Sequence, residues 1–170
     1  MMHVSLRNLA LFAATVSALL QAGAQLFAVA VVVGKVTEAP PRSLAMYAGD
    51  YGYDSGPFWE VMPTVTLVLL LLALVANWRT ERRRLLIGAV AAFLLAGLFA
   101  VFVMGPLQSE VVSAGFADAV DPALAARAAR WHAYDWVSWV LTLIPGVLLV
   151  LTLGSPSTAA PRAVDSGSAA

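Results

Sequence analysis

The stretch ARWHAYDWVSW, residues 129–139, carries the densest chemistry in the chain and stands at the mouth of a long apolar run. His132 and Asp135 are three residues apart, a helical spacing that lets them share a face and hydrogen-bond. A histidine that titrates near neutrality beside a carboxylate is a unit able to take up and return a proton. The same spacing extends the stripe to Trp139 and Thr142, with Ser138 beside it. An ionisable group at the head of a membrane helix is a functional candidate by default. The plainer reading is an interfacial pair that satisfies loop backbone and fixes the helix at its depth, inside an aromatic belt of Trp131, Tyr134, Trp136 and Trp139.

Other polar residues approach the same level. Ser17, Gln21 and Gln25 follow each other at i, i+4 and i+8 on one helical face. Their amides and hydroxyl suit either ligand binding or helix-to-helix hydrogen bonds, the common use of buried amides in a bilayer. Glu60 and Thr64 are again four apart, and Gln108, Ser109 and Glu110 follow a Gly105-Pro106 break. Taken singly, Glu60 and Glu110 read as solvated helix ends. Taken together, these groups predict a cavity that opens outward, with Asp135 and His132 as catalytic candidates. Gln21, Gln25, Glu60, Gln108, Trp131, Tyr134 and Trp139 are the ligand-binding candidates.

Several chemistries are excluded. The chain has no cysteine, so it has neither disulfides nor thiolate chemistry. Its only histidines are His3 and His132, too few for an intramembrane bis-histidine haem. No Glu-x-x-His pair suggests a di-iron or zinc site. Asp50 and Asp54 faintly resemble a calcium loop, but Val61 stands where that loop needs a glutamate. We expect no metal and no cofactor. The net charge of zero gives no electrostatic case for nucleic acid.

The elements that must position these residues follow from composition. The chain is 61% hydrophobic and only 12% charged, about half the charge of an ordinary soluble domain. Four stretches lack charge altogether: 8–34, 61–78, 85–109 and 136–161. Each can hold one helix of the roughly 20 residues that a bilayer core requires. Their continuous apolar character lacks the alternation of a membrane barrel strand. The expected fold is therefore all-α, a four-transmembrane-helix bundle in a single domain over residues 1–154. Its spans lie near 9–33, 60–78, 85–106 and 134–153, and residues 155–170 form a disordered tail. The first span ends its leading half in Ala22-Gly23-Ala24, like a signal-peptide cleavage site, but its apolar run continues to Val33, so an uncleaved span is expected.

Arg79, Arg82, Arg83 and Arg84 crowd the link between the second and third spans. The positive-inside rule makes that link cytoplasmic, with both termini beside it and a long first outer loop opposite. That loop holds Pro40-Pro41 and then MYAGDYGYDSGPFW, whose aromatics suit an interface and whose glycines supply turns. Asp121 and Pro122 signal a helix start, so the fourth helix should rise well clear of the membrane. Pro145-Gly146 should kink or loosen it further along.

Short motifs along residues 9–153 also carry a resemblance. AGAQLF in the first span, the Pro-Pro loop leading to LAMY, the arginine-rich link, MGPLQ and ARWHAYDWVSW occur in that order. The chain resembles the family of small four-helix membrane proteins that includes the fungal anthrone oxygenases. That family shows Pro-x-Asn after its third helix; here Pro106 fits and Gln108 replaces the asparagine. It then shows Arg-Trp-x-x-Trp-Asn-His-x-Arg. Arg130 and Trp131 match and Tyr134 keeps the aromatic, whereas Asp135, Trp136 and Ser138 replace Asn, His and Arg. The resemblance implies cofactor-free oxygenation of an anthrone.

Two functions remain open on the sequence. One is a multi-pass cell-membrane protein that binds a small hydrophobic or aromatic ligand, as an anthrone-oxygenase-like enzyme or as a binder alone. The other is a non-catalytic membrane subunit or scaffold with no small-molecule site. Lipid is the expected partner in both, and a homo-oligomer is compatible with either.

Overall fold

The computed structural model describes residues 5–155. Its architecture is all-α, with four long helices packed as a bundle: α1 Leu6–Val36, α2 Gly56–Ala76, α3 Arg83–Val112 and α4 Pro122–Gly154. All four are long and apolar enough to cross a membrane. The chain is a four-span integral membrane protein. Outward-facing side chains such as Phe12, Leu72, Phe102 and Leu151 are exposed from the bundle, which places them against lipid. Of the tail expected to be disordered, residues 155–170, all but Ser155 lie outside the described residues, and so does His3.

Local signals account for the helix ends. Ser5 caps α1 by accepting from the Asn8 amide, and Asp121 caps α4 by accepting from Ala123 and Leu124. Pro122 occupies the first turn of α4, where its missing N–H costs nothing. The fourth helix does begin well before its apolar run. It stays α-helical through Pro145, which is buried beside Gly146. A side chain at Gly146 would come within 2.9 Å of Leu19, so glycine there lets α1 and α4 approach closely.

Neither α1 nor α3 is a regular α-helix throughout. Each contains a π segment, Ala28–Val33 in α1 and Ala100–Met104 in α3. The break expected at Gly105-Pro106 takes this form. The helix widens over the preceding turn and resumes as Gly105–Val112, with Pro106 in the first turn of the new segment.

Round the bundle, α1 packs on α2 and α4, and α3 packs on α4, while α2 and α3 touch least. Two apolar clusters hold it. One, including Leu11, Leu70, Leu86 and Leu149, draws on all four helices near the arginine-rich link. The other, including Val36, Leu44, Val111 and Trp131, lies at the opposite end and contains no residue of α2.

The arginine-rich end is pinned by one residue. Arg82 is only 7% exposed; its guanidinium donates to the carbonyls of Leu153 and Ser155 and to Asn8 Oδ1 at 2.8 Å. It therefore ties the end of α4 to the start of α1, with its charge set against the negative end of the α4 dipole. Arg83 instead lies over the Trp78 ring. At the opposite end, a short 3-10 helix, Arg42–Tyr47, follows a cis Pro40–Pro41 peptide. The chain then doubles back, with the Tyr53 amide donating to the Met46 carbonyl at 2.7 Å.

Candidate functional site

Between the two apolar clusters lies a cavity of about 430 Å³. From α1 it is lined by Gln21, Gln25, Ala28, Val32 and Val33; from α2 by Trp59 and Pro63. From α3 come Phe93, Ala96, Gly97, Ala100, Val101, Met104, Gly105 and Gln108, and from α4 Trp131, Asp135, Ser138 and Thr142. Tyr47, Tyr53 and Ser55 line it from the loop. Both π segments contribute to the wall, through Ala28, Val32 and Val33 on one side and Ala100, Val101 and Met104 on the other. Such widened turns are frequent at functional sites because they redirect side chains without ending the helix.

The polar centre is a bond between α1 and α4. Gln25 Nε2 donates to Asp135 Oδ1 at 2.7 Å. Asp135 is buried, 5% exposed, and its Oδ2 has no protein partner among the described residues. No lysine, arginine or histidine pairs with it there. One turn along α1, Gln21 is also buried, and its Oε1 has no hydrogen-bond partner among the described residues. Below the amides, Ser17 and Thr66 share a hydrogen bond of 2.8 Å, closing the seam between α1 and α2.

The lid is aromatic. The rings of Tyr47 and Tyr53 lie 6.1 Å apart, and Phe58 meets Trp59 edge to face at 4.9 Å. Burial pushes the Tyr47 hydroxyl above the ordinary tyrosine pKa, and Tyr53 and Asp135 push it further in the same direction. Tyr47 is thus a neutral phenol at physiological pH. Gly49 turns the loop with φ +79°, and a Cβ at Gly52 would stand 2.5 Å from the Tyr47 carbonyl oxygen. The lid can close back on Tyr47 only because residue 52 is glycine.

The structure sorts the sequence candidates into two groups. Asp135, Gln21, Gln25, Gln108 and Trp131 line one cavity. His132, Trp139, Tyr134 and Glu60 do not. His132 packs beside Gly34 of α1 and 6.4 Å from the Trp136 ring, with its buried Nε2 unpartnered among the described residues and no hydrogen bond to Asp135. Trp139 meets Trp136 edge to face, Tyr134 stacks on Phe99, and Glu60 is exposed. The cavity stripe on α4 is Trp131, Asp135, Ser138 and Thr142. His132 and Trp139 each follow one of its members and are turned about 100° from it. Glu110 lies 3.7 Å from Arg130 on an open surface.

No motif or spacing marks the small residues of α3, Ala96, Gly97 and Ala100, which line the cavity. They carry no chemistry, so only their packing reveals their part. Among the described residues, no group of histidine, cysteine, aspartate or glutamate is arranged to hold a metal ion. No protein-family model matches the chain, and no curated protein or solved structure matches it. The family resemblance therefore rests on its short motifs alone.

Proposed function

We propose that this protein binds a small apolar or aromatic molecule in the bundle cavity and anchors that molecule's polar group on Asp135. One observation carries the reading. A carboxylate sits inside an apolar four-helix bundle, held on one oxygen by Gln25 and with no cation to pair it among the described residues. A buried carboxyl group is costly unless its hydrogen-bonding capacity is met, and within a membrane such a group marks a functional site by default. The cavity volume falls within the roughly 300–1,000 Å³ of small-molecule sites. Its apolar walls and aromatic lid suit a flat hydrophobic body. We place the arginine-rich end in the cytoplasm and the tyrosine lid on the other face of the cell membrane, on the charge distribution of the links.

The enzymatic form of this reading is the anthrone oxygenation that the motif resemblance implies. An anthrone methylene would be oxidised to a carbonyl while dioxygen is reduced, one oxygen atom entering the product and the other leaving as water. Asp135 is the base suited to take the carbon-bound proton, because His132 does not reach the cavity. The second reading, a non-catalytic scaffold, is favoured by one feature of the same bond: Gln25 and Asp135 join α1 to α4 and would glue the bundle with no ligand present.

The test uses 6-bromo-2-naphthol, whose bromine quenches tryptophan, on the full chain in lipid nanodiscs. Trp78, Trp136 and Trp139 are changed to phenylalanine, leaving Trp59 and Trp131 at the cavity. Saturable quenching is expected, and Asp135→Asn should weaken it roughly tenfold or more, as loss of a hydrogen bond to a charged group does. Quenching that rises linearly and equally in both proteins would reflect partition into lipid and would establish the scaffold reading.

A further inference from the structure

Resting on the ligand-binding reading above, we infer that the cavity is loaded sideways from the hydrocarbon phase, through the gap between α2 and α3. Its ligand is a membrane-dissolved amphiphile rather than a water-borne solute.

The gap follows from how the helices pack. α2 joins the apolar cluster at the arginine-rich end through Leu70 and Ala73, but contributes nothing to the cluster at the lid end. There its cavity-facing residues are Trp59 and Pro63, and α3 answers them with Gly97, Val101 and Gly105. These three are spaced i, i+4 and i+8 and form one stripe along α3. A Cβ at Gly97 would meet nothing within 4 Å, and Val101 is 66% exposed although it lines the cavity. The wall residues of α1 and α4, by contrast, are all buried or half-buried. The cavity is sealed on the α1–α4 side and open on the α2–α3 side.

The open side faces lipid because α2 and α3 are both spans. A solute using it must first leave water, so an apolar body is required. Its polar group is received at the inner end, where Asp135 and Gln21, both buried, line the cavity. The Tyr47–Tyr53 pair and the Tyr53-to-Met46 hydrogen bond cover the end towards water.

A lipid-phase carbene reagent, 3-(trifluoromethyl)-3-(3-iodophenyl)diazirine, tests the route. It is dissolved in phosphatidylcholine vesicles holding the full chain and photolysed, and the adducts are mapped by mass spectrometry. Adducts are expected on Asp135 and Gln25 as well as on the outward-facing Leu94 and Val140. Gly97→Leu and, separately, Val101→Phe should cut the cavity adducts several-fold while the Leu94 and Val140 adducts persist, which also shows that each variant is folded. Wild-type adducts confined to outward faces, with bromonaphthol still bound, would overturn the lateral route and leave the ligand reading intact. So would cavity adducts unchanged in both variants. Cavity adducts without any bromonaphthol binding would overturn both, leaving a gap filled by lipid.

Discussion

Gln25 of α1 donates to Asp135 of α4 at 2.7 Å, joining the first and last spans at the one carboxylate that is buried among the described residues. This bond makes the two residues a coupled pair, and coupling is measurable. In bromonaphthol binding, Asp135→Asn and Gln25→Leu should each weaken affinity. The double variant should lose less than the two losses combined, because removing either partner already disables the pair. Full additivity would show that the two side chains act independently on the ligand.

Arg82 makes a different prediction from its neighbours. Arg79, Arg83 and Arg84 are exposed, whereas Arg82 is buried and donates to three acceptors on α1 and the α4 terminus. Arg82→Ala should destabilise the bundle by about 2 kcal/mol, since it removes hydrogen bonds donated by a buried charged group. Arg82→Lys should recover little of this, because an ammonium cannot reproduce the planar fork. Thermal unfolding in detergent reads both. Arg84→Ala serves as the exposed comparison and should leave the transition near that of the wild type.

The lid depends on Gly52. Gly52→Ala places a methyl group against the Tyr47 backbone, which cannot rotate away, so the loop must open. The Tyr47 pKa reports on that opening. Burial raises it in the folded protein, so folding favours the neutral phenol. This contribution is complete below the free tyrosine value of about 10 and is lost as pH rises through the higher folded value. Ultraviolet titration of phenolate should show one tyrosine ionising late in the wild type, absent in Tyr47→Phe. In Gly52→Ala that late step should move back towards the ordinary range.

The orientation rests on charge and has a direct check. Glu81 is exposed in the arginine-rich link, and the chain has no cysteine of its own. Glu81→Cys should resist an impermeant maleimide in intact cells and react once the membrane is opened. Asp118→Cys, exposed in the opposite link, should react in intact cells. The reverse pattern would invert the orientation.

What the sequence determined by itself was set by the solvent. Four charge-free stretches, an alanine-rich lead into α4 with its Asp121 cap, and glycines in an aromatic loop are local properties, and a bilayer leaves a helix as their only form. The polar residues of α1 were legible for the same reason: Ser17, Gln21 and Gln25 repeat at i, i+4 and i+8 in apolar surroundings, and Ser17 and Gln21 are buried while Gln25 is half-buried. On α4 the sequence allowed two stripes. His132–Asp135–Trp139–Thr142 and Trp131–Asp135–Ser138–Thr142 are both regular helical faces, and spacing cannot choose between neighbouring rotations of one helix. Tertiary structure chose, because Gln25 on α1 turns Asp135 inward and leaves His132 against Gly34 and Trp136. The same limit hid Arg82 among four arginines and Gly97 among the small residues of α3. Depth along a span is written in a helix's own residues, but which face meets a neighbour depends on residues far away in the chain.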